Sequence, residues 1–268
     1  MDRRKFLNKT VLTGSGVLLG GRLNAATLLS TGGLLEEKNV LFVWGGWEGH
    51  DPGPCKDLFV PWMKKEGAVV TSSDTLDIYT DEALMQKQDL IVQVWTMGKI
   101  TKDQEQGLLN AVKNGAGLAG WHGGLGDSFR ENVEYQFMVG GQWVAHPGGV
   151  IDYKVNITDK SDPVTKEIPD FAMHSEQYYM HVDPNVKVLA TTTFSDEHAS
   201  WIKGCVIPVL WKKTYGKGRV FYSSLGHKVT DFEVPEALET MQRGIIWASK
   251  SKYEPAYDWV KPIYPIEA

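Results

Sequence analysis

Apolar positions fall in short runs separated by amphipathic stretches. Residues 39–44 are almost continuously apolar, as in a strand buried on both faces. Residues 54–66 read as a helix with Leu58, Trp62 and Met63 on one side, and 68–71 as a second strand. A short helix is predicted over 80–87 and a third strand over 89–95. Thr101 opens a further helix, with Asp103 and Glu105 in its first turn, where negative charge suits the helix dipole. Leu108, Leu109 and Val112 face the sheet, and 115–117 end the helix before a fourth strand at 118–121. The second half is richer in strands: 150–157, 186–193, 206–211 and 218–224. Pro208 marks its segment as an edge strand or as the start of one. Val234, Leu238, Met241, Ile245 and Ala248 step around one face of a final helix.

Strands alternating with helices predict right-handed crossovers and a parallel sheet, an α/β fold. With no repeat and no dividing linker, residues 34–268 form one domain, in which 145–215 insert extra strands and the Pro- and Tyr-rich tail after Lys252 lies over the surface. Residues 1–26 change that picture. Arg3 and Arg4 precede a weakly apolar, Gly-rich stretch and the small residues Ala25 and Ala26, the pattern of a twin-arginine export signal, which places the mature chain in the periplasm. Cys55 and Cys205 are read as free thiols, Cys being so often buried unpaired. A net charge of −5 without a basic run argues against a nucleic-acid partner. No apolar stretch is long enough to span a membrane. Neither charge nor pattern sets an oligomeric state.

Ligands of an open parallel sheet bind beyond the carboxyl ends of its strands. His50 follows the first strand, His122 the fourth and His227 the one ending near 224, each in a glycine-containing loop. Gly120-Trp121-His122-Gly123-Gly124 has the spacing of a nucleophile elbow with His at the reactive position. Imidazoles gathered there serve as general acids, general bases or metal ligands. With a nearby carboxylate, His50, His122 and His227 suit a divalent ion such as zinc, although no HExxH or paired CxxC pattern is present. His146 is placed at the mouth of the site. Glu176 is an acid or base if the insertion folds over the sheet edge. Trp47, Trp121, Trp143, Tyr178 and Trp211 are aromatics near these loops; some stack on a ligand ring and some belong to the core.

These motifs together resemble the ThuA-like (trehalose utilisation) family, related in fold to the class I glutamine amidotransferases. The resemblance rests on Gly49-His50, Gly120-Trp121-His122, 137–141 leading to His146-Pro147, Asp162-Pro163 with 168–171, Glu176 to Tyr178, 208–211 with 215–222, and Gly226-His227. It covers nearly all of 39–248. Where the family often has an Asp-Glu pair before the Tyr, this chain has Ser175-Glu176-Gln177. The resemblance implies a flavodoxin-like, amidotransferase-like three-layer sandwich with a mainly parallel central sheet. It also implies a carbohydrate ligand such as a 3-keto-glycoside. His50, His122, Glu176 and His227 would be catalytic, and Trp47, Trp121, His146 and Tyr178 would bind substrate. The reaction expected is elimination, hydration or isomerisation by general acid–base chemistry. A non-catalytic sugar-binding protein and a metal-dependent hydrolase are the alternatives. Histidine in place of the elbow thiol removes the thiolate that glutamine hydrolysis needs.

Overall fold

In the computed structural model, which describes residues 33–254, the first apolar run is strand β1 (Asn39–Gly46). Val40 and Phe42 join one apolar cluster and Leu41 and Val43 the other. A strand lying between two helical layers has no polar face, so its sequence shows no alternation. Helices α1 (Pro52–Lys65) and α6 (Pro235–Ser249) cover one face through Phe59, Met63, Met241 and Ile245. Helices α3 (Lys102–Lys113) and α5 (Val133–Val139) cover the other through Leu108, Val112 and Met138. The expected three-layer α/β sandwich is the result.

The other strands are β2 (Val69–Ser73), β3 (Leu90–Thr96), β4 (Gly117–Trp121), β5 (Gly141–Ala145), β6 (Val150–Ile157), β7 (Phe171–Glu176), β8 (Tyr179–Val182), β9 (Lys187–Thr193), β10 (Val206–Tyr215) and β11 (Gly218–Ser223). Nine of the eleven described strands form one sheet in the order β2-β1-β3-β4-β11-β10-β9-β6-β7, while β5 and β8 pair as a small antiparallel ribbon. The half from β2 to β11 is parallel and the half from β10 to β7 antiparallel. The inserted strands therefore extend the sheet from β11 outward.

Thr101 opens α3 as a capping box: Gln104 N–H donates to Thr101 Oγ1 at 3.3 Å and Thr101 N–H to Gln104 Oε1 at 2.9 Å. The helix expected over 80–87 starts later. Leu76–Thr80 forms a 3-10 turn, and Asp81 accepts from Leu84 N–H to begin α2 (Glu82–Lys87). Pro208 lies in an interior strand rather than at an edge. It is tolerated because β11 pairs with β10 only from Leu210 on, and the β9 ladder shifts register between Pro208 and Leu210. Cys55 and Cys205 are free, Cys55 buried and Cys205 half-buried. No described helix is long and apolar enough to cross a membrane. The expected export signal at 1–26 and the end of the tail, 255–268, lie outside the described residues.

Candidate metal centre

The carboxyl ends of the parallel strands deliver the three histidines. Strand β4 runs directly into helix α4 (His122–Gly126), and His122 takes φ +47°. That is the left-handed backbone of a nucleophile elbow. Its glycines are required by space. A Cβ on Gly123 would lie 2.5 Å from His50 Cε1, and one on Gly124 2.8 Å from Val94 Cα. His50 ends a 3-10 turn after β1, tied to β3 by Trp47 N–H donating to the Thr96 carbonyl at 2.9 Å. His227 follows β11, and its N–H donates to Asp231 Oδ2 at 2.9 Å.

Glu176, the last residue of β7, completes the set. In a flat sheet β7 would stand about 24 Å from β4, five strand spacings away. Instead Glu176 Oε2 lies 3.1 Å from His122 Nε2, so the antiparallel half curls back over the strand tips. The same oxygen is 3.4 Å from His227 Nδ1, 3.4 Å from His146 Nδ1 and 3.9 Å from His50 Nε2. Asp231, 8% exposed, helps to fix this convergence, because its Oδ2 accepts both the His227 N–H and the Ser175 hydroxyl, the latter at 2.6 Å. Asp231 and Thr96 position the site. Sequence reading assigned them no role, since neither stands in a motif that marks one.

The ring nitrogens bear on what the cluster could hold. His122 Nδ1 donates to the Ser224 carbonyl at 2.8 Å. Burial lowers the pKa of both His122 and His50, that of His50 to about 2, so both rings are neutral near pH 7. A neutral His122 with its proton on Nδ1 turns the Nε2 lone pair toward a carboxylate oxygen. Two acceptors do not hold each other at 3.1 Å unless a proton or a cation lies between them. His50 has its Nδ1 on Thr96 Oγ1 at 2.9 Å, and its Nε2 has no hydrogen-bond partner. His227 Nδ1 and His146 Nδ1 are likewise buried without one. One proton cannot serve His50 Nε2, His122 Nε2 and His227 Nδ1 at once, whereas one cation can. Ligand atoms of His50, His122, Glu176 and His227 all lie within 4.8 Å of one another. Ligands bound tetrahedrally at ~2.0–2.1 Å stand about 3.3 Å apart, which the separations around Glu176 Oε2 bracket. A donor set of imidazoles and one carboxylate, with Thr96 and Ser224 holding the far nitrogens, fits a divalent transition metal.

The residues expected to bind substrate divide. Trp47 is 48% exposed and meets the His50 ring edge-on at 4.7 Å, at the mouth. His146 is half-buried on the rim. Tyr178 is buried and stacks on His122 at 3.8 Å, so it orients that ring rather than facing a ligand. Trp121 is a correction: at 1% exposure it packs among Phe42, Phe59 and Phe232 in the core and offers no ligand face. Trp211 is also core, its Nε1–H on the Val139 carbonyl. Trp143 lies half-buried between His146 and the Arg130 guanidinium.

The ThuA family model, described as trehalose utilisation, matches residues 39–248. A ThuA-like protein from Bacteroides uniformis superposes with TM-score 0.67 at 17% identity, covering 83% of this chain and 94% of that one. One from Parabacteroides merdae gives 0.63 at 17% identity, covering 85% and 95%. A cytoplasmic protein of Salmonella typhimurium gives 0.56 at 14% identity, covering 80% and 98%. At these identities the superpositions establish the shared fold. Comparison with curated proteins finds no match.

Proposed function

The chain belongs to the ThuA (trehalose utilisation) family, and from that premise we propose that it is a metal-dependent enzyme acting on a carbohydrate. The metal is a divalent ion such as zinc, held by His50, His122, Glu176 and His227. The observation that carries this reading is the convergence of imidazole nitrogens of His50, His122 and His227 on one Glu176 oxygen, with His50 Nε2 and His227 Nδ1 buried without a hydrogen-bond partner. A bound ion polarises a ketone or hydroxyl oxygen of the sugar. The chain's own groups do the rest. Trp47 offers an apolar face to a pyranose ring. His146, with 36% of its side chain exposed and Nδ1 3.4 Å from Glu176, is placed to exchange a proton with the ligand on one side and with water on the other. On a 3-keto-glycoside, His146 takes the acidified proton beside the ketone. The electron pair left behind expels the glycosidic oxygen, and the protonated His146 returns its proton to that oxygen. Hydration and isomerisation of the same substrate use the same imidazole as base and then as acid.

Elemental analysis of the purified full chain tests the metal. One divalent ion per chain is expected, lost in His122→Ala and His50→Ala together with turnover of 3-keto-glycosides. A metal-free sample that turns these sugars over at full rate would overthrow the reading.

A further inference from the structure

Behind the elbow runs a buried hydrogen-bond network that an apolar core does not need. Gln93 is the middle residue of β3, 0% exposed, and stands between Val43 of β1 and Gly120 of β4. Strand alternation puts its side chain on the face of Ile91, which belongs to an apolar cluster. An amide buried there is costly unless its polar atoms find partners. The Tyr79 hydroxyl donates to Gln93 Oε1 at 2.9 Å. Gln93 Nε2 donates to the Tyr135 hydroxyl oxygen at 2.6 Å and to Ser128 Oγ at 3.0 Å, and lies 3.3 Å from the Gly124 carbonyl oxygen. Both hydroxyls pass the bonding on: Ser128 donates to the Gly124 carbonyl at 3.0 Å, and Tyr135 to the Leu125 carbonyl at 2.9 Å. The Gly124 carbonyl fixes which way the amide points, because a flipped amide would set two acceptors together.

These bonds end on the helix that begins with His122. Helix α4 has five residues, three of them glycine, and no side-chain cap. Glycine is a poor helix former, and a single turn does not hold itself together. The carbonyls of so short a helix need donors from outside it. Each carbonyl from His122 to Leu125 has one. The Tyr222 hydroxyl donates to that of His122 at 3.1 Å and Asp127 N–H to that of Gly123 at 3.2 Å, while the Gln93 network serves Gly124 and Leu125. His122 itself keeps φ +47°, a backbone that a residue with a Cβ retains only where its surroundings impose it. The Ser224 carbonyl and the Tyr178 ring hold the His122 imidazole. The network holds the backbone from which that imidazole projects.

We infer that Gln93 is a positioning residue of the metal centre: its amide, through Tyr135 and Ser128, locks the glycine-rich elbow and so aims His122 Nε2 at the ion. The inference rests on the metal reading of the centre. It is tested on the full chain by zinc affinity, read by chelator competition, and by the visible absorption of the cobalt-loaded protein, which reports ligand geometry. Gln93→Leu removes the donors at similar volume. Tyr135→Phe removes only the hydroxyl that reaches Leu125. Ile245→Ala opens a core cavity on α6, across the sheet, and serves as the control for lost stability alone. Gln93→Leu is expected to weaken zinc binding about tenfold or more and Tyr135→Phe about threefold or more, each with a shifted cobalt band. Ile245→Ala should lower the urea midpoint and leave affinity and band unchanged. Should Gln93→Leu fail to fold, Tyr135→Phe decides. Wild-type affinity and band in the folded network variants, or an equal loss of zinc in Ile245→Ala, would overturn the positioning role and leave the metal reading standing. A wild-type chain that takes up neither ion would overturn both.

Discussion

His50 is held from two sides, by the Thr96 hydroxyl on Nδ1 and by the bare backbone of Gly123 against Cε1. Both contacts matter only if His50 Nε2 is a ligand, and that makes them a test. Thr96→Val keeps the shape and removes the hydrogen bond. Gly123→Ala pushes a methyl into the ring. Each is expected to weaken zinc binding about 10–100-fold, the usual cost of disturbing a group that orients a ligand, as measured by competition with a chromogenic chelator. Unchanged affinity in both would remove His50 from the centre. His50, His122 and His227 were legible in the sequence because each directly follows a strand of readable pattern. Glu176 was legible as a residue but not as a neighbour, because its place depends on how far the sheet curls. Trp121 was misleading for a simple reason. It stands next to the elbow His, but its ring is buried among Phe42, Phe59 and Phe232.

Among the elements, β6, β9 and β10 depend on a buried ion network. Lys212 on β10 is 2% exposed and meets Asp162 Oδ1 at 2.5 Å, while Lys187 on β9 meets Asp162 Oδ2 at 2.8 Å. Removing one partner of such a pair leaves a buried charge uncompensated. Asp162→Ala should therefore destabilise the fold by ~3–5 kcal/mol, read as a lower urea midpoint at unchanged slope. The sign of the pH dependence follows from the carboxyls. Burial opposes ionisation of Asp162, but Lys212 and Lys187 hold its pKa below the ordinary 3.8. Asp159 is held at about 2, where hydrogen bonds from Ser161 and Lys187 outweigh burial. Below about pH 4 the unfolded chain takes up protons that the folded chain does not. This contribution is complete above that pH and is lost as pH falls toward 2. The continuous apolar runs of β1 and β3 and the helical periods of α3 and α6 were readable within a residue or two. Helix α5 and strands β5, β7 and β8 were not assigned, because they are too short to display a period. Pro208 was read against an interior strand because a register shift leaves no trace in sequence.

At the scale of the molecule, the proposed ion joins loops that follow β1, β4 and β11 to the end of β7, so it couples the parallel and antiparallel halves of the sheet. A ligand that binds only the folded chain stabilises it by mass action, ~2.7 kcal/mol at 100 times Kd. Stripping the metal with a chelator should lower Tm by roughly 5–10 °C for a chain of this size, and adding zinc back should restore it. A melting curve indifferent to both would leave the cluster without an ion. The sequence by itself determined the layers, the strand tips that carry imidazoles, and the family, because burial on two faces and the steric needs of tight turns are written locally, in period and in glycine. Only the tertiary structure decided that four imidazoles surround one carboxylate oxygen. Those distances are set by the accumulated twist and curl of a nine-stranded sheet, which no single segment encodes.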